Sequence, residues 1–139
     1  MAKSPTYKLE VPASTDQLSV ARDFVCDHAR SFGFGPAEVE GIRLAVDEAM
    51  TNVIKHAYKF DDSKTVYINV GMRSNEFWVA IQDTGDTFRI ENYQEPDVEQ
   101  RIKDRKKGGV GVYLIRKLMD KVEYSQKNAH NEIKMIKKR

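Results

Sequence analysis

Two periods divide this chain. Apolar residues recur at spacings of three and four in two long stretches and alternate singly in several short ones. Leu18, Ala21, Val25, Ala29 and Phe32, widened by Phe24, form one helical stripe, which Ser14, Thr15 or Asp16 can cap and Gly33 and Gly35 end. Pro36 suits the first turn of a second helix, with a stripe of Val39, Ile42, Val46, Ala49, Met50, Val53 and Ala57 and an end near Tyr58. Asp61, Asp62 and Ser63 make a turn. Val66, Ile68, Val70 and Met72 then alternate with polar residues and glycine, and after a hairpin connection over Arg73 to Glu76 so do Phe77, Val79 and Ile81 with Trp78, Ala80 and Gln82. Tyr7 to Val11 alternates weakly before Pro12. A third helix is expected over Val112 to Asp120, a strand at Val122 and Tyr124, a turn over Gln126 to Asn131, and a last strand at Ile133, Met135 and Ile136. This order predicts one domain over residues 1–139: an α/β (α+β) two-layer sandwich, with helices on one face of a mainly antiparallel mixed sheet.

Three features interrupt the pattern. Glu48 and Asn52, four apart, sit one above the other at the edge of the second helix's apolar stripe, and asparagine is a poor helix-interior residue. They are either a solvated flank or groups that await a partner such as Mg²⁺ and a polar ligand. Asp83 shares strand parity with Phe77, Val79 and Ile81, so it points into the layer between sheet and helices if the strand reaches it, and there it needs a donor. Asp83 with Gly85 is either an ordinary turn or a carboxylate acceptor beside a glycine that admits a ligand. Gly108, Gly109 and Gly111 open the third helix, where glycines either make a tight turn or free N–H groups for phosphate. Between these features Thr84 to Lys107 has little period, and a connection of that length inside a small domain is usually functional or mobile.

Composition narrows the classes. The 139 residues are 40% hydrophobic and 32% charged, yet the formal net charge is only +2, which argues against a dedicated nucleic-acid binder. Basic residues cluster at Arg101 to Lys107 and Lys134 to Arg139, leaving a local anion site open. The single cysteine, Cys26, allows no disulfide within the chain and reads as a small helix residue, and His28, His56 and His130 make no metal signature. The opening MAKSPTYKLEV lacks an apolar leader core and no run approaches a membrane span, so a soluble, cytoplasmic protein is expected.

Taken in order, the three polar features resemble the ATP-binding boxes of the GHKL superfamily, and most closely the bacterial anti-sigma serine kinases of the RsbW type. EAMTN, Glu48 to Asn52, is similar to the family's E-x-x-x-N box. DTGDTF, Asp83 to Phe88, is similar to its D-x-G-x-x-F box, and GGVGVYLIRKLMDKVEY, Gly108 to Tyr124, to its G-G-x-G-x-x-L-I box and the following strand. NEIKMIKK resembles the closing strand, so the likeness spans nearly the whole chain. Thr87 departs from it twice: it stands where the family often has proline before the phenylalanine, and where a D-x-G-x-G form would have its second glycine. Both changes concern loop shape near the adenine.

The resemblance implies an ATP-dependent protein serine/threonine kinase that phosphorylates a small anti-sigma-factor antagonist, regulates a sigma factor by partner switching, and forms a homodimer. Glu48 would be the general base and Asn52 an oxygen ligand of Mg²⁺. Asp83 would accept from the adenine amino group, with Gly85 letting backbone approach the base. Gly108, Gly109 and Gly111 would cradle the phosphates, Thr84 to Lys107 would form the lid, and Arg105 or a neighbouring lysine would neutralise the γ-phosphate. The same boxes serve two other readings, a nucleotide-gated binding switch and a simple ATPase.

Overall fold

The computed structural model describes residues 6–84, 110–127 and 130–139. Five strands, β1 (Thr6–Pro12), β2 (Thr65–Arg73), β3 (Glu76–Asp83), β4 (Lys121–Lys127) and β5 (His130–Lys138), make one sheet in the order β1-β2-β3-β5-β4. Every pairing among the described strands is antiparallel. Val66, Ile68 and Val70 of β2, Phe77, Val79 and Ile81 of β3, and Ile133 and Met135 of β5 are buried on one face against the helices. The two-residue period of a strand requires the intervening residues to stand on the open face. There Trp78 lies over Gly71, where any Cβ would meet the indole at 2.2 Å, and Lys134 sits 4.8 Å from the Trp78 ring centre. A shallow groove of about 470 Å³ on that face involves Tyr67, Asn69, Trp78, Gln82 and Lys134; Asp83 is on the other face.

The helical layer follows the expected stripes. A short 3₁₀ turn at Thr15–Gln17 leads into α1 (Leu18–Phe32), which buries Ala21, Val25, Cys26 and Ala29 and stops at Gly33 with φ of 111°. Glycine takes that left-handed conformation without a Cβ clash. Burial pushes the Cys26 thiol above its ordinary pKa, so the cysteine is an inert core residue. In α2 (Pro36–Asn52), Glu38 turns back to accept from the Gly35 N–H at 3.0 Å, and Val39, Ile42, Ala45, Val46, Ala49 and Met50 are buried. A third helix, α3 (Val110–Leu118), starts two residues before the expected Val112 and ends two before Asp120.

Two details depart from the sequence reading. The second helix does not run on evenly to Tyr58: its last turn, Val53–Ala57, is π-helical, with the Tyr58 N–H reaching back five residues to the Val53 carbonyl. Lys59 and Phe60 follow at φ of 51° and 63°, conformations unfavourable to residues with a Cβ and held here by the Phe60 N–H bonding the Ile54 carbonyl. Second, the basic C-terminus is not a gathered anion site. Lys134 stands on the open face, Lys137 donates to the Leu118 carbonyl at the end of α3, and Arg139 lies 4.7 Å from the Phe32 ring centre and donates to the Phe32 carbonyl. Lys137 and Arg139 close helix C-termini, where carbonyls lack partners and the helix dipole favours positive charge.

Candidate functional site

Local contacts fix which way each helix runs over the sheet, and hence what gathers where. Phe34, just before α2, packs edge-on to Phe77 with ring centres 5.8 Å apart, and Phe32 lies 5.8 Å from the same ring. Helix α2 therefore starts at the Phe77 end of β3. Its far end is tied by Tyr58, whose hydroxyl donates to the Thr65 carbonyl at 2.7 Å and accepts from the Thr84 N–H at 2.9 Å. So α2 ends at the Asp83 end of β3. Helix α3 runs the opposite way: Leu118, its last residue, is beside Gly41 near the start of α2 and is capped by Lys137 of β5. At about 1.5 Å per residue its axis leads back toward the Asp83 end. The C-terminal half of α2, the end of β3 and the first turn of α3 thus converge on one end of the helix–sheet layer.

Glu48 and Asn52 are half-buried and lie on the same lengthwise row of α2 as Gly41, the residue next to α3. They face the side that α3 approaches. Neither side chain has a hydrogen-bond partner among the described residues, although around them the helix buries Ala45, Val46, Ala49 and Met50. The neighbouring Asp47, by contrast, is engaged on the helix's other flank, with Arg22 of α1 at 3.1 Å and Arg43 at 3.5 Å. Arg43 also bonds Glu40 and holds that exposed carboxyl below its usual pKa.

Asp83 reaches the layer that strand parity required and is 5% exposed, the only buried charged side chain among the described residues. One donor to it is Asn131, whose Nδ2 lies 3.0 Å from Asp83 Oδ1. The structure therefore brings Glu48, Asn52 and Asp83 to one end of the layer. Gly111 lies inside the first turn of α3 rather than ahead of it. Gly85, Gly108, Gly109 and Arg105, with residues 85–107 of the lid expected over Thr84 to Lys107, lie outside the described residues.

Two residues of this end were not singled out in the sequence. Tyr58 read only as a helix end; its signal was the need of a buried tyrosine for a hydroxyl partner. Asn131 read as a turn residue, yet it belongs to β5 and pairs with Asp83 across the sheet. Its parity with Ile133 was visible, but which residue it opposes depends on register, which parity alone does not set.

An amide oxygen and a carboxylate are donor types that Mg²⁺ accepts, and no cluster of three His, Cys, Asp or Glu side chains among the described residues could hold a metal by itself.

The family description "Histidine kinase-like ATPase domain" matches residues 11–137. The chain is 34% identical over 125 residues to a serine-protein kinase RsbW of Halalkalibacterium halodurans, covering 87% of this chain and 76% of that one. It is 33% identical over 119 residues to the serine-protein kinase RsbW of Bacillus subtilis, covering 83% and 74%. Among solved structures, a protein in the SiaB–SiaC complex of Pseudomonas aeruginosa superposes with a TM-score of 0.69 at 12% identity, over 94% of this chain and 88% of that one. The RsbU and RsbW domains of a Mycobacterium tuberculosis protein give the same score and identity, over 99% of this chain and 33% of theirs, a likeness of fold.

Proposed function

The chain belongs to the histidine kinase-like ATPase domain family, and from that premise we propose how it works as an ATP-dependent protein serine/threonine kinase of the anti-sigma-factor type. It transfers the γ-phosphoryl group of ATP to a serine or threonine hydroxyl of a small antagonist protein and regulates a sigma factor by partner switching. The observation that supports this site is the convergence of Glu48, Asn52, Asp83 and the start of α3 at one end of the layer.

The residues divide the work. Asp83 accepts from the amino group of adenine, where guanine carries a carbonyl, so the base is read by hydrogen-bond polarity. Glu48 takes the proton from the attacking hydroxyl as its oxygen bonds to the γ-phosphorus and the bond to the bridging oxygen of ADP breaks. Asn52 holds Mg²⁺, which neutralises phosphate charge when bound. Gly85 admits the base, Gly108, Gly109 and Gly111 hold phosphate oxygens, and Arg105 or a neighbouring lysine meets the γ-phosphate. The added phosphate then weakens the complex with the antagonist by placing charge in its interface. The kinase acts in the cytoplasm as a homodimer.

The test uses γ-labelled ATP and the cognate antagonist. Glu48→Gln keeps size and polarity but removes the base, so label on the antagonist falls by about 10²–10⁴ while ATP binding persists. Undiminished transfer in that variant would remove Glu48 from its role. Free phosphate without labelled antagonist in the wild type would favour an ATPase, and tight nucleotide binding with neither product would favour a switch.

A further inference from the structure

Asp83 is one end of a row of polar side chains on three adjacent strands. Asn131 of β5 stands opposite Asp83 of β3 and also opposite Gln126 of β4. Gln126 Nε2 donates to Asn131 Oδ1 at 3.3 Å, and Asn131 Nδ2 donates to Asp83 Oδ1 at 3.0 Å. One step further into the sheet the same face carries Ile81, Ile133 and Tyr124, so the row lies where the apolar layer gives way to the site.

The two bonds point the same way. An amide has one accepting and one donating end, and the carboxylate only accepts. With Gln126 donating to its oxygen, Asn131 presents its NH₂ to Asp83. Turning that amide over would set oxygen against carboxylate and nitrogen against nitrogen, and both bonds would be lost. Gln126 thus orients Asn131, and Asn131 orients Asp83. From the other side the backbone just after Asp83 is pinned by the Tyr58 hydroxyl on the Thr84 N–H.

We propose that Asn131 is a positioning residue for nucleotide selection: through its bond to Asp83 it holds the carboxylate in the plane that accepts from adenine's amino group, and so it sets the preference for ATP over GTP. This rests on the reading of Asp83 as the base-contacting residue. A side chain that merely supported the fold would change stability, or would weaken all nucleotides alike. A residue acting through Asp83 changes the ATP-to-GTP ratio and leaves the ATP-to-ADP ratio alone, because those two nucleotides carry the same base.

The experiment is a calorimetric titration of the full chain with Mg²⁺ and ATP, ADP or GTP, on wild type, Asp83→Asn, Asn131→Ala, Asn131→Asp and Gln126→Ala, each first shown to melt cooperatively. Loss of a hydrogen bond to a carboxylate predicts that Asn131→Ala lowers the ATP-to-GTP affinity ratio by about tenfold or more. Asn131→Asp keeps the shape but sets two carboxylates together, so its loss is larger. Gln126→Ala acts in the same direction by about twofold to threefold, since it only frees the amide to turn. If Asp83→Asn abolishes the preference while both Asn131 variants keep it, or if they lower ATP and GTP affinity equally, the positioning role is overturned and the Asp83 reading stands. If the wild type shows no preference, or Asp83→Asn retains it, the Asp83 reading fails and this proposal falls with it.

Discussion

The two ends of the helix–sheet layer are built from the same strands and helices, and they are finished in opposite ways. At the Phe77 end, Phe32, Phe34 and Phe77 close the layer with aromatic rings, and Lys137 and Arg139 occupy helix-terminal carbonyls. At the other end the helix carrying Glu48 and Asn52 loosens into a π turn, and the buried carboxylate of Asp83 accepts from the Asn131 amide. A π turn inside a helix often marks a functional site, and here it delivers Tyr58 to the strand end that bears Asp83. The Phe77 end is closed by aromatic rings and capped carbonyls; the Asp83 end gathers the half-buried Glu48 and Asn52 and the buried Asp83.

If that contrast is right, substitutions at the two ends have separable effects. The largest is expected from Phe77→Ala. It removes a fully buried ring on which two others pack, so it should cost about 3–5 kcal/mol in denaturant unfolding while the surviving folded protein keeps its preference for ATP. A lost preference at unchanged stability would show that the ends are not independent. A much smaller change is expected from Lys137→Met, which keeps most of the stem but removes the ammonium from the Leu118 carbonyl. A loss of about 0.3–1 kcal/mol in melting, shrinking in high salt, with nucleotide affinity unmoved, would place this cation in helix capping. Weakened ATP binding in that variant would give the lysine a part in the site instead.

The fold was more legible than the site, for a physical reason. Periodicity reports burial, so the stripe of Val39, Ile42, Val46, Ala49 and Met50 and the alternation of Phe77, Val79 and Ile81 located elements and faces. The parity of Asp83 carried one candidate site residue with them, since its burial followed from that of its strand neighbours. Periodicity says nothing of how a helix ends, and the π turn after Asn52 replaced an expected regular one because Tyr58 bonds Val53 rather than continuing the helical ladder. It is also silent on register, which is why Asn131, visible as one residue of a turn, gave no sign of being Asp83's partner. The C-terminal lysines misled for a third reason. Charge clustering along the chain ignores that a strand sends alternate residues to opposite faces, and Lys134 and Lys137 part in that way.

In the proposed mechanism the polar end of the layer binds an adenine nucleotide through Asp83. The direct measurement is a titration of the wild type and of Asp83→Asn with ATP, ADP and GTP, with and without Mg²⁺. The expected result is Mg²⁺-dependent binding that prefers adenine in the wild type, with the preference lost in Asp83→Asn while the variant remains folded. A folded wild type that binds none of the three, or an Asp83→Asn variant that still prefers ATP, would contradict it.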